Sequence, residues 1–328
     1  KLSDEDKTKL KALNEEDAAL AAKFTNMLMA ATKAGALVTS NPADLAGLTK
    51  DEIQAAAETA KARGLEGQWV VPLQNTTQHP ALASLTARPT RERLFNSSWT
   101  RTEKGDANDT RATIAKLAEL RARRAALLGY PTHAAWSVEE QMAAKPEAVN
   151  AFLARLVPSA MANARREASD IQALIDQQGG AFKLAPWDWD FYAEQVRKAR
   201  YDLNNADLAP YLALDRVLMD GVFYTAQELY GISFKERKDI PDYHPDVRVF
   251  EVFDKVGSPL ALFYCDFFKR DNKRGGAWMD NFVYQSRLLG TKPVVYNVAN
   301  IAKPAAGQPA LLTFDEVGTL FHEFGHAL

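Results

Sequence analysis

At Gly231 the sequence changes its period. Before it, apolar residues recur at three- and four-residue spacing in Ala-, Leu-, Lys- and Glu-rich stretches, the signature of amphipathic helices. After it, "ISFKER", "DVRVFEVFD", "PLALFYCDFF", "NFVYQS" and "KPVVYNVANI" are β-branched and aromatic runs separated by Gly, Pro and Asp turns, which is strand and hairpin chemistry. The pattern predicts a mainly α-helical protein with a small, mostly antiparallel β-sheet. It divides the chain into helical residues 1–230 and a sheet-plus-helix region 231–328.

The helical part carries its own punctuation. One long helix is expected from Ser3 to about Ala34, stopped at Gly35. A second begins at "LTKDEI", where Thr49 as N-cap and Glu52 three residues on form a capping box, and Gly64 closes it. "QWVVPL" reads as a short strand weakened by Pro72. Further helices are predicted over Asp109–Leu128, Pro146–Gln178 with a bend at Pro158, Asp188–Tyr201 and Leu208–Tyr230.

With 328 residues, 47% of them hydrophobic, the chain can bury a large core. Forty basic against 42 acidic residues, interspersed and summing to −2, argue against nucleic acid or an anionic membrane as the main partner. No apolar run approaches the roughly 20 residues of a membrane span. The single cysteine, Cys265, rules out an internal disulfide framework, which suits a reducing, cytoplasmic setting; it reads as a buried packing residue. The absence of an initiator Met suggests a piece of a longer chain.

The last helix carries the chemistry. Thr313 caps it with Glu316 three residues on, and Leu312 can staple on Val317. On a helical projection Val317, Leu320, Phe321, Phe324 and Leu328 share one face, while His322 and His326 fall together on the other. Side chains four apart lie about 5–6 Å apart at Cβ, so two imidazoles can converge on one Zn²⁺. Glu323 is one position round from His322, in reach of a water held by such an ion and hence placed as its general base. Gly325 inside this helix marks either close approach of another backbone or a substrate, which is favoured, or a tolerated weakness.

This "FDEVGTLFHEFGHAL" resembles the active-site helix of the thimet-oligopeptidase-type zinc peptidases. "WDWDFYAEQVRKARYDL", "YHPDVRVFEVFD" and "FYCDFFKRDNKRGGAWMDNFV" resemble that family's segments, in the same order. Within it, "DFFKRDNKRGGAWMDNFVYQS" and "PVVYNVANIAKPAAGQPALL" look most like the bacterial peptidyl-dipeptidase branch, with the endopeptidases of the oligopeptidase A branch as the near alternative. The resemblance implies a neurolysin-like helical fold, two lobes around a channel in the intact, monomeric protein, and oligopeptide substrates. It also implies that the third zinc ligand is a glutamate on a following helix, so that residues 1–328 alone would be inactive. The rival from another class is a non-catalytic helical binding module with surface histidines.

"KRGGAWMDNF" is the candidate substrate-backbone segment. Gly275 and Gly276 allow close approach, the residues after them can feed an edge strand, and Gly276 and Ala277 are the assigned contacts. A plain hairpin turn is the competing reading. His79, His133 and His244 sit beside prolines and are expected in turns or packing, and Arg121, Arg123 and Arg124 on a solvated helix face.

Overall fold

A computed structural model describes residues 2–73, 80–201 and 205–328. His79 lies outside the described residues. In chain order the elements are α1 (Asp4–Ala34), β1 (Leu37–Thr39), α2 (Lys50–Ala62), β2 (Trp69–Val71), α3 (Pro80–Ser84), α4 (Arg88–Trp99), α5 (Arg111–Leu127), α6 (His133–Val138), α7 (Pro146–Gln177) and α8 (Trp189–Tyr201). There follow α9 (Asn205–Leu208), α10 (Leu214–Arg216), α11 (Tyr224–Tyr230), β3 (Ser233–Glu236), β4 (Arg248–Phe253), β5 (Pro259–Phe268), β6 (Trp278–Val283), β7 (Val294–Ile301) and α12 (Phe314–Ala327). The mainly α architecture with a small, mostly antiparallel five-stranded sheet is the one the sequence pattern predicts, and a separate two-stranded pair, β1 with β2, adds to it.

The chain forms two compact units, one from Lys1–Ala36 with Arg88–Val196, the other from Leu37–Ala87 with Arg197–Leu328. The first is helical. Ser3 caps α1 by accepting from the Asp6 amide at 3.1 Å, and Gly35 closes it. Of the three arginines expected on a solvated face of α5, Arg121 and Arg123 are exposed there, Arg121 3.7 Å from Asp17 of α1 and Arg123 beside Glu119. Arg124 is half-buried instead: it donates to Asp17 at 3.2 Å and stands 5.0 Å over the Trp136 ring. Elsewhere in this unit Asp188, fully buried, accepts from Arg88 and from Arg91, which is itself only 1% exposed.

In the second unit β1 and β2 pair antiparallel, and α2 begins with the Thr49–Glu52 capping box. Its main sheet has the order β3-β4-β5-β7-β6. All neighbours are antiparallel except β5 and β7, which run parallel because β6 intervenes between them in the chain. The change of period at Gly231 therefore lies inside this unit. Gly231 itself sits at φ +70, ending α11 in the left-handed conformation that favours glycine.

The helix expected over Leu208–Tyr230 is broken into pieces. Pro210 cannot supply a helical N–H. The segment then diverts so that the Leu214 amide donates to Ala310 at 2.8 Å and the Leu312 amide to Leu212 at 2.9 Å. The chain resumes through a π-helical turn, Val217–Phe223, before α11. α4 is an element the sequence pattern did not predict: its polar "RPTRERLFNSSW" has little apolar periodicity, and it is held by burial of Arg91 and Leu94.

Candidate active site

α12 is built as its sequence dictates. The Thr313 hydroxyl accepts from the Glu316 amide at 3.2 Å, and the Glu316 carboxylate accepts from the Thr313 amide at 2.8 Å. Burial raises the Glu316 carboxyl above the usual range, while the hydrogen bonds from Thr313 pull it back. Leu312, Leu320 and Phe324 enter one apolar cluster with Phe223, Phe250 and Phe263, and Val317 packs against it. The Phe324 ring meets Phe263 edge-on at 5.4 Å. Phe321 is less buried than its face predicts, at 38% exposure, and Leu328, past the last helical residue, is exposed.

On the other side of this helix His322 and His326 are exposed, their Nε2 atoms 3.1 Å apart and their rings perpendicular. Two nitrogens held about 2.0–2.1 Å from one tetrahedral ion lie about 3.3 Å apart, so the pair fits a shared zinc ion with little adjustment. Glu323, at 9% exposure, is the buried acid of the triple. Among the described residues no group of three or more His, Cys, Asp or Glu could hold a metal.

No described residue makes the backbone approach to Gly325 that the sequence suggested. A Cβ on Gly325 would meet nothing within 4 Å, because that residue faces out with the histidines. The close approach to α12 is made at Gly221 of the π-helical turn, where a Cβ would stand 3.4 Å from the Phe321 ring. The remaining described histidines are structural: His244 Nδ1 accepts from the Asp246 amide at 3.2 Å, and His133 lies against Trp136.

Gly276 and Ala277 lead into β6, the edge strand beside β7. Ala277 and Met279 pack against the cluster that holds Leu320 and Phe324, so the start of β6 and the buried side of α12 share one apolar floor. Gly276 sits at φ +90 with open space around its Cα, so its need for glycine is conformational rather than steric.

The preceding loop is tied down by residues that the sequence pattern left as a turn. Lys273, 5% exposed, donates to the Asp266 carboxylate at 2.9 Å and to the carbonyls of Asp266 and Phe268 at 2.8 and 2.9 Å. Arg270 makes a two-pronged pair with the same carboxylate, and Tyr243 donates to it at 3.0 Å. Burial alone would raise Asp266, but the hydrogen bonds from Arg270 and Lys273 bring it below its ordinary value. Burial lowers the Lys273 ammonium to about 8 against the opposing pull of Asp266.

Residues 81–328 match peptidase family M3, and the chain belongs to that family. Over its whole length it is 57% identical to dipeptidyl carboxypeptidase of Escherichia coli (strain K12), of which it covers 48%. It is 34% identical to oligopeptidase A of the same organism over 93% of this chain and 46% of that protein. To a probable thimet oligopeptidase of Arabidopsis thaliana it is 31% identical over 68% of this chain and 32% of that protein. The chain thus spans about half the length of the first of these relatives.

Proposed function

We propose that the protein carrying this chain is a zinc peptidase of short oligopeptides that releases dipeptides from free C-termini. The observation that carries the reading is the His322–His326 pair, 3.1 Å apart at Nε2 on a capped helix with Glu323 between them. His322 and His326 would hold the ion through Nε2. Bound Zn²⁺ supplies the Lewis acidity that brings the pKa of a water to about 7. Glu323 would take the proton of the water that attacks the peptide carbonyl and pass it to the leaving amine. Glu323 is buried, at 9% exposure, on a capped helix, which limits its motion as a base that must meet one water requires.

Peptide recognition falls to Gly276, Ala277 and the side of β6 that no described strand pairs. An extended substrate adds there as a further strand, main chain to main chain. A channel between two lobes would restrict access to oligopeptides. The dipeptidase mode is supported by the 57% identity to dipeptidyl carboxypeptidase. With two metal-binding side chains of its own, residues 1–328 alone would bind zinc weakly and turn over no peptide. Among the described residues no helix is long and apolar enough to cross a membrane. A cytoplasmic, monomeric enzyme is the reading we adopt.

The test uses the full-length gene product. Stoichiometric zinc, lost in His322→Ala and in His326→Ala, is expected, and its absence would leave a non-catalytic helical module as the better reading. Mass spectrometry of products from one peptide with a free and with an amidated C-terminus should show dipeptides from the first alone. Internal cleavage of both would make the protein an endopeptidase like oligopeptidase A.

A further inference from the structure

β6 and β7 pair in a simple register, Asp280 opposite Tyr296, Met279 opposite Asn297, Trp278 opposite Val298. Continued two places, that register sets Gly276 opposite Asn300. The backbone ladder does not continue, because the chain turns away at Gly276 with its φ at +90. The Asn300 side chain takes its place: Nδ2 donates to the Gly276 carbonyl at 2.6 Å and to the Arg274 carbonyl at 2.8 Å.

Two further facts separate this amide from ordinary packing. Asn300 is 9% exposed, and its Oδ1 is buried with no hydrogen-bond partner among the described residues, so the side chain is retained for its two donors alone. The loop it grips is also fixed upstream, by the Lys273 ammonium on the carbonyls of Asp266 and Phe268 and by Arg63, the residue after α2, which lies 2.5 Å from Asp271. Every anchor acts before the first residue of β6 and leaves the outer side of that strand unpaired by any described strand.

We propose that Asn300 is a positioning residue for peptide binding: its amide sets the turn at Gly276 and so presents the outer edge of β6 in the conformation an extended substrate must pair with. The inference rests on the reading of β6 as the substrate edge. Holding the edge before the peptide arrives removes an ordering cost from binding, so the residue acts on substrate affinity and not on the proton transfer at Glu323.

Steady-state kinetics of the full-length protein on a quenched fluorescent oligopeptide test it, with zinc content and melting temperature measured alongside. Asn300→Ala should raise KM about tenfold while kcat stays within about twofold and zinc remains stoichiometric. Asn300→Ser, which keeps one donor, should raise KM less, and it decides the matter by the same criterion if Asn300→Ala does not fold. Gly276→Val separates the proposal from the reading beneath it. If Gly276→Val raises KM and the Asn300 variants do not, the positioning role is overturned and the substrate edge stands. If neither position alters KM, the edge reading fails and the proposal with it. A fall in kcat with loss of zinc in the folded Asn300 variants would show general damage and also overturn it.

Discussion

α12 and the stretch from Asp266 to Val283 lie in one compact unit and meet on one apolar cluster, yet they are held in opposite ways. α12 starts on a local contact, the Thr313–Glu316 box, and lays an apolar stripe on the shared cluster. The other stretch adds polar anchors to its apolar contacts. A buried carboxylate meets two cations, an asparagine reaches across from β7, and an arginine comes from the residue after α2. A helix can be specified locally, whereas a strand edge that stays open to a peptide, as proposed for β6, is served by polar anchors at its root, since pairing along its length would block it.

Four outcomes would break or sharpen that contrast. The largest belongs to α12. Glu323→Gln in the full-length protein should keep zinc bound and lower kcat by about 10²–10⁴, the usual cost of losing a general base. Turnover near that of the parent in the metal-loaded variant would remove Glu323 from the chemistry.

Next comes Asp266→Ala, which leaves Lys273 and Arg270 without their carboxylate. Urea unfolding should show a loss of about 3–5 kcal/mol, the range for stripping one partner from a buried pair. A loss below about 1 kcal/mol would mean that the loop is held by its backbone contacts alone.

A smaller change is expected at the cap. Thr313→Ala should cost about 1 kcal/mol and speed amide exchange in the first turn of α12, with the spacing of His322 and His326 untouched. Lost zinc binding in that variant would show that the helix is less self-sufficient than its capping box suggests.

The subtlest effect is one of pH. The Lys273 ammonium titrates near 8 in the folded chain and near 10.4 when unfolded. Between these values the unfolded state binds more protons, so the contribution of this group to stability rises with pH from about 8 to above 10. Lys273→Met should lack that alkaline rise relative to the parent in urea unfolding at matched pH; parallel profiles would exclude Lys273 as its source.

How far the sequence could be read follows the same division. The capped starts of α2 and α12, the glycine stop of α1 and the strand runs of the main sheet depend on neighbours within a few residues and were legible, although the run expected at 281–286 forms β6 at Trp278–Val283. The π-helical turn at Val217–Phe223 was not, because it arises where the chain pairs with Leu311 and Leu312, far away in sequence. α4 was missed for a related reason: Arg91 is buried against groups far away in sequence, the Asp188 carboxylate, the Trp187 carbonyl and the Phe191 ring.

The juxtaposition of His322 and His326 follows from the sequence alone, since a helix repeat of 3.6 residues brings any two positions four apart onto one face. The sequence also determined the glycine at 276 and the strand that follows. Only the tertiary structure decided that Glu323 is buried while its two histidine neighbours are exposed, because that depends on which side of α12 meets the sheet. It alone decided, too, that β6 lies at the edge and that Asn300 stands opposite Gly276, because strand order and register are settled by pairings between residues remote in the chain.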